Sequence, residues 1–429
     1  MTGVGSGRSA GGGRRLAAGV AIAVLAAPGA GGCGREPRGL LPIPAARADD
    51  GVEPVLVRRP RAAPPGSVRI ASVFPTLGRY ALSGIQSHNG ARMAVEDLNR
   101  AGGVHDRAVA LLEYGTGSYF VDARHAAELA AGADRAVALV GSNSSSLSRA
   151  MAEVAEAHGV VQVSNVSTAQ DLTWDPVTGR DRPHVFRVCG SDEVSGRLLA
   201  EFARDHLRAR RAAVLYEVGR TYSASLARSF VESFRGPAST RVVAEFVYLP
   251  LETDFRDQLR EVDAFRPEVV FVPASFTDAT LIAIQAERLG LRATLLGGDA
   301  WSHRRLFARG GPSRPAYHSD HCFPPASFQQ AYRTRYGEDA DGCRAILAYD
   351  AVRAVAAALA GLGPLDDEDL DAGLPATRTR LRESLASVKV QGKTGLIHFD
   401  DHGDVRRGAA IIQVAPNERP RLHLWLGDR

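Results

Sequence analysis

From Ser67 onward the chain alternates short apolar runs with longer stretches in which apolar residues recur every third or fourth position. "SVRIASVF", "RAVALLEY", "AVALVG" and "VVQVSN" have strand length and strand composition, and "HNGARMAVEDLNRAG", "VDARHAAELAAG" and "SLSRAMAEVAEAHG" stand between them with helical period. The alternation restarts after "HVFRVCGSD". Helical "EVSGRLLAEFARDHL", "YSASLARSFVESF", "TDFRDQLREVDAF" and "TDATLIAIQAERLG" are interleaved there with strand-like "AAVLYE", "RVVAEFVYL", "EVVFVPAS" and "ATLLGG". Strands and helices at this spacing predict right-handed βαβ units, with helices on both faces of parallel sheets. Two such series predict an α/β chain of two doubly wound parallel-sheet lobes. The tail adds the helical "FQQAYRTRYG", "RAILAYDAVRAVAAALAGL" and "TRTRLRESLAS", then strand-like "GLIHF" and "AAIIQV", so the chain is expected to pass between the lobes again.

Open parallel sheets bind ligands beyond the carboxyl ends of their strands. There the stretch "LVGSNSSSLSRA" places Ser144, Ser145 and Ser146 at the opening of a helix, where free N–H groups and a partial positive charge favour an anion. The next strand places Ser164, Asn165, Ser167 and Thr168 beyond its end, at the same rim. Ordinary capping and turn chemistry explains one such hydroxyl, and two adjacent clusters exceed its needs.

Composition adds an address rather than a chemistry. The net charge is +4 over 429 residues, and the basic residues are arginines scattered among acids, with Lys389 and Lys393 the only lysines. No basic cluster interleaved with aromatics points to nucleic acid. Arg8, Arg14 and Arg15 precede "LAAGVAIAVLAA", which is too short to span a bilayer, and "AGGC" follows, ending at Cys33. Residues 1–32 therefore read as a secretory signal. A cysteine after small residues resembles the bacterial lipobox, which implies cleavage before Cys33 and a diacylglycerol on its sulfur. Ala30 stands where that pattern favours Leu, and plain secretion is the alternative. The mature protein is expected outside the cytoplasm, tethered to the outer face of the cell membrane, with residues 33–66 a Pro- and Arg-rich flexible linker. Cys189, Cys322 and Cys343 allow one disulfide in three pairings.

The order "GARMAVEDLNRAGGV", "LVGSNSSSLSRAMAEVAEAHGVVQVSNVSTAQDLT", "FRVCGSD", "TDFRDQL", "LLGGDAW", "AYRTRYG…AILAYDAV" and "TGLIHFDDHGD" resembles the branched-chain amino-acid (Leu/Ile/Val) type of periplasmic binding protein over about residues 67–415. The resemblance implies a type 1 fold of two lobes joined by three hinge crossovers. One lobe would comprise 67–188 plus 323–394 and the other 189–322 plus 395–429, with crossovers near 186–192, 318–322 and 395–400. It places Cys189 and Cys322 at hinges, where a bond between them is conceivable; Cys322–Cys343 is the competing pairing and the one favoured. It also implies the substrate-binding lipoprotein of an ABC importer, working as a monomer with separate permease subunits. By the same resemblance Ser145, flanked by Ser144 and Ser146, holds a ligand carboxylate. The Val166 carbonyl and the Thr168 hydroxyl, with Ser167 between them, match the next family contacts, Thr168 joining Ser145 at the anionic end; Asp299 holds the ammonium, and Tyr222 covers the ligand from the second lobe. The sequence departs from the family at Ser83, where an aromatic is usual, and at Ser275. Tyr80, Phe276 and Trp301 are the aromatics available to rebuild the pocket wall, packing in the core being the alternative for Phe276 and Trp301.

Catalytic motifs do not compete with this reading. No dinucleotide or nucleotide-phosphate glycine motif joins a predicted strand to a helix, and no nucleophile elbow is present, so no cofactor is expected and an exported serine hydrolase is a remote alternative. "HSDHC" holds His318, Asp320, His321 and Cys322, but adjacent strand residues point to opposite faces and the spacing fits no common zinc site, so no metal is expected. The expected function is capture of a small polar ligand, an amino acid or related zwitterion, between closing lobes. The alternative within the same fold is a sensing receptor.

Overall fold

A computed structural model describes residues 57–427 apart from Pro237. The signal segment, Cys33 and the linker up to residue 56 lie outside the described residues. The first sheet is built from β1 (Val57–Arg58), β2 (Val68–Pro75), β3 (Val109–Thr116), β4 (Ala138–Gly141) and β5 (Val161–Ser164), with helices α1 (Ala81–Arg100), α2 (Phe120–Ala131) and α3 (Ser145–His158) between them. A small hairpin, β6 (Trp174–Asp175) and β7 (Arg180–Asp181), precedes β8 (Val185–Arg187). The strand order is β1-β3-β2-β4-β5-β8, parallel except for the antiparallel edge strand β1. Composition alone places residues 57–66 in the flexible linker. They instead include β1, paired along β3 through Val57 and Arg58, which covers an otherwise open sheet edge.

The chain crosses after β8 and opens a second lobe with α4 (Asp192–Glu201), capped by Ser191 accepting from the Val194 N–H at 3.3 Å. There follow β9 (Arg211–Glu217), α5 (Thr221–Arg235), β10 (Arg241–Tyr248), α6 (Arg256–Ala264), β11 (Val269–Phe271), α7 (Phe276–Leu289), β12 (Thr294–Gly297) and β13 (Ala316–Asp320). The chain then returns to the first lobe with α8 (Ala326–Tyr336), α9 (Arg344–Ala360), α10 (Leu374–Ser387) and the hairpin β14 (Lys389–Gly392) and β15 (Gly395–His398). A last passage adds β16 (Ala409–Val414) and β17 (Arg421–Leu426), giving the second sheet the order β10-β9-β11-β12-β13-β16-β17. The interior strands are buried on both faces, which is why they read as near-continuous apolar runs rather than alternating ones.

The third crossing falls later than the expected 395–400. Asp350 on α9 accepts from the Lys393 N–H at 2.6 Å and the Thr394 N–H at 2.9 Å, so the β14–β15 turn is pinned to the first lobe and residues 395–398 stay there. Near this passage the buried Arg187 donates from Nε and Nη2 to the two carboxylate oxygens of Asp404, both at 2.6 Å. Cys322 and Cys343 form the disulfide and Cys189 is a buried free thiol, so the conceivable Cys189–Cys322 bond is not made. The bond ties the residues after β13 to the start of α9. No helix among the described residues is long and apolar enough to cross a membrane.

Candidate functional site

The carboxyl ends of both sheets face one another across a cavity of about 70 Å³. On the first lobe, β4 runs into Asn143, Ser144 and Ser145 at the N-terminus of α3, and Ser144 and Ser145 line the cavity. The serines behind them are already committed to one another. Ser148 Oγ accepts from the Ser142 N–H at 2.7 Å and lies 2.7 Å from Ser167 Oγ, while Ser164 and Ser167 each donate to the Ser142 carbonyl. This network fixes the turn and leaves both polar side-chain atoms of the cavity-lining Asn143 without a partner among the described residues. Val166 completes this wall, and Tyr80 and Ser83 enter it from the start of α1.

The second lobe contributes charge and aromatic surface. Asp299 follows β12 and lines the cavity. The two glycines before it are packing requirements: a side chain at Gly297 would collide with the Trp301 indole, and one at Gly298 with the Tyr222 hydroxyl. That hydroxyl accepts from the Ala300 N–H at 3.3 Å, so Tyr222 braces the Asp299 turn as well as lining the cavity. Burial works to raise the Asp299 carboxyl, but the His321 ring, the Arg344 charge and the Tyr222 hydroxyl outweigh it and hold the group below the usual range. His321 Nε2 stands 3.8 Å from Asp299 Oδ2, within ion-pair range but beyond a hydrogen bond. Phe276 lines the cavity with its ring stacked on His303 at 3.7 Å.

The remaining candidates fall elsewhere. Trp301 is not a wall residue: its indole is wholly buried and donates to the Val272 carbonyl at 3.0 Å, so it belongs to the core of the second lobe. Ser146 lies outside the lining, 3.4 Å from Ser144 Oγ. Ser167 is engaged in the serine network. Thr168 sits behind the lining, buried with its hydroxyl unpartnered among the described residues. Of the "HSDHC" residues, Cys322 is held in the disulfide, and no group of three or more potential metal-ligating side chains occurs among the described residues.

Three arginines at the cavity were not singled out from the sequence. Arg79, in the loop before α1, crosses to the second lobe and donates to both carboxylate oxygens of Glu217, at 2.8 and 3.1 Å, and to Asp278 at 2.7 Å. Arg344, at the start of α9, donates to the carbonyls of Ser302, Asp341 and Asp299. Arg220, at the start of α5, lies between the Tyr80 and Tyr222 rings, 5.6 and 5.5 Å from their centroids. Burial opposes the Arg220 charge, and Tyr80, Glu217 and Tyr222 outweigh it, so the guanidinium is held charged. A wider groove of about 1040 Å³ is lined by residues 57–61 and neighbouring parts of the first lobe, but it gathers none of the candidate residues.

Two parallel-sheet lobes that enclose a small polar cavity between their strand ends, bridged by side chains reaching from one to the other, define a ligand-clasping binding protein. The chain belongs to the periplasmic binding protein family, whose model matches residues 67–418. It is 27% identical over 248 residues to the Leu/Ile/Val-binding protein BraC3 of Rhizobium johnstonii, spanning 57% of this chain and 64%, under two-thirds, of that protein. It is 26% identical over 354 residues to an amino acid binding protein of Pseudomonas aeruginosa, spanning 80% of this chain and 89% of the relative. Among solved structures, the leucine binding protein LivK of Thermotoga maritima superposes with a TM-score of 0.74 at 25% identity, over 84% of this chain and 98% of that one. A solute binding protein of R. palustris in complex with benzoate shares the fold at a TM-score of 0.70 and 17% identity, over 82% and 94% of the two chains.

Proposed function

We propose that this chain is the extracytoplasmic solute-binding component of an ABC importer, capturing a small zwitterion, an amino acid or close relative, by closing its lobes over it. Its work is recognition rather than turnover. The ligand's carboxylate is received by Ser144, Ser145 and Asn143 at the N-terminus of α3, and its ammonium by Asp299 with the Val166 carbonyl. Ser167 and Thr168 support the carboxylate end from behind, Tyr222 braces the Asp299 turn and covers the ligand, and Tyr80, Ser83 and Phe276 wall the side-chain space. One observation carries this reading: a carboxylate held charged shares a single cavity with the unpartnered Asn143 amide at the opening of α3. An ammonium moved out of water needs such a carboxylate, and a carboxylate favours helix N–H groups. The amino-acid binding named for the relatives points the same way. The protein works as a monomer, tethered by a lipid on Cys33, and the permease that receives the ligand is a separate chain.

The test is calorimetric titration of the full chain, unfolded and refolded to strip ligand, against amino acids, amides and carboxylates without an ammonium group. At least one amino acid is expected to bind, with the heat lost in Asp299→Ala. Equal binding of compounds lacking the ammonium, unchanged in that variant, removes Asp299 from its role. Incorporation of labelled fatty acid, abolished in Cys33→Ser, tests the tether.

A further inference from the structure

The side-chain end of the cavity is not built for an aliphatic ligand. Arg220 lines it with its guanidinium flanked by Tyr80 of one lobe and Tyr222 of the other. Its one hydrogen bond is from Nη1 to Glu217 Oε2, at 3.2 Å; Nε and Nη2 have no acceptor among the described residues. Glu217 has little left to offer, since Arg79 already binds both of its carboxylate oxygens. The other two arginines are committed, Arg79 to Glu217 and Asp278 and Arg344 to backbone carbonyls. Arg220 alone therefore presents a charged, flat donor fork to the cavity, held in orientation by aromatic faces on two sides.

The N-termini of α5 and α7 meet at this same end, through Arg220 and Tyr222 and through Ser275, Phe276 and Thr277. Their backbone partial charges add to the arginine's. Closing the lobes over a leucine-like side chain would strip water from Nε and Nη2 and give them nothing in return, a costly exchange for a charged group. A carboxylate instead matches the fork and accepts two parallel hydrogen bonds.

We infer that Arg220 is the specificity-determining residue of this site and that the ligand is an amino acid with a short anionic side chain, its distal carboxylate received by the Arg220 fork between Tyr80 and Tyr222. This rests on the amino-acid reading above and narrows it from the zwitterion to the acidic class.

The experiment titrates the refolded full chain with L-aspartate, L-glutamate, L-asparagine, L-glutamine, L-leucine and glutarate, and repeats the series with Arg220→Gln and Arg220→Lys. An acidic amino acid is expected to bind at least about 100-fold tighter than its own amide and than leucine, the range measured when a buried charge pair loses a partner. Arg220→Gln is expected to lose that preference while the amide's affinity changes by less than about 3-fold, with Arg220→Lys intermediate because an ammonium keeps charge without the fork. The wild-type ranking tests the assignment even if a variant fails to fold. Leucine or glutamine binding as tightly as glutamate overturns it and leaves the amino-acid reading in place. Glutarate matching glutamate does the reverse, supporting Arg220 and removing the ammonium from the scheme. Silence across the panel from folded protein overturns both.

Discussion

The two walls of the cleft are made of different chemistry. The first lobe offers neutral hydroxyls and an amide, set by serines that hydrogen-bond one another behind the surface, along with the Tyr80 ring and two arginines, Arg79 and Arg344, whose charges are already engaged by protein acceptors. The second offers Asp299, Arg220 and aromatic rings. Neutral donors tied into a network cost little to desolvate and grip a feature common to many ligands. A lone charge costs more to bury and repays it only when its opposite arrives, so it discriminates. The contrast predicts unequal penalties. In the ligand complex Asp299→Ala leaves an ammonium without its partner and is expected to cost about 3–5 kcal/mol of binding, whereas Ser145→Ala removes one neutral hydrogen bond and costs about 0.5–1.5 kcal/mol. Equal losses by calorimetry would break the distinction.

The same division predicts different responses to pH. Asp192 opens α4 on the second lobe, wholly buried, its N–H bonded to the Thr168 carbonyl of the first lobe at 2.8 Å. Burial pushes its carboxyl up to about 7; the Thr168 and Ser225 hydroxyls stand near enough to favour the charged form without reaching it as hydrogen-bond partners. An unfolded aspartate releases its proton near about pH 4. Between that value and about 7 the folded state holds a proton the unfolded state has lost, so this group's contribution to stability falls as pH rises through the window. Asp192→Asn is expected to flatten the decline and to raise stability at about pH 8 by up to roughly 4 kcal/mol, read from urea unfolding of the ligand-free protein. An unchanged pH profile would show that the Asp192 charge is accommodated after all.

How far the sequence disclosed these walls follows from the same chemistry. The strand–helix alternation was legible because buried parallel strands and amphipathic helices impose distinct periods, and Ser144 and Ser145 were legible because they follow a strand that ends at a rim, whereas Val166 came only with the family resemblance. Arg79, Arg220 and Arg344 were not, since arginine is scattered throughout this chain and nothing local separates a cleft arginine from one in a solvated pair such as Arg256 with Asp254. Trp301 was misplaced because its direction depends on the space above Gly297, which only the folded turn reveals. Residues 57–66 looked like linker because two residues of edge pairing leave no periodic mark.

Within the first lobe the comparison sharpens at Ser148, whose hydroxyl joins Ser142 and Ser167 behind the cavity. Ser148→Ala leaves the buried Ser142 N–H without its acceptor and is expected to cost about 1–3 kcal/mol of stability, the price of an unsatisfied buried group. Ligand selectivity should not move, because no member of this network touches the distinguishing end of the ligand. A changed acid-to-amide ratio in this variant would mean that the neutral wall also discriminates.

The smallest expected effect lies where the lobes touch. Arg79 is the first lobe's charged reach into the second, and its side chain is about a third exposed at 32%. Solvent reaches the Arg79 end of these pairs, and Arg220 remains beside the buried Glu217 carboxylate, so Arg79→Gln is expected to weaken binding by no more than about 1 kcal/mol at low salt, with the difference shrinking near about 1 M salt as the Debye length falls. Its second consequence is more telling. Removing Arg79 frees the Glu217 carboxylate, 3.2 Å from Arg220, to engage that guanidinium more fully. Part of the fork offered to the ligand would then be taken from within, and selectivity for an anionic side chain should fall even at high salt, where the closure effect has shrunk. Loss of affinity without loss of selectivity would instead confine Arg79 to holding the lobes together.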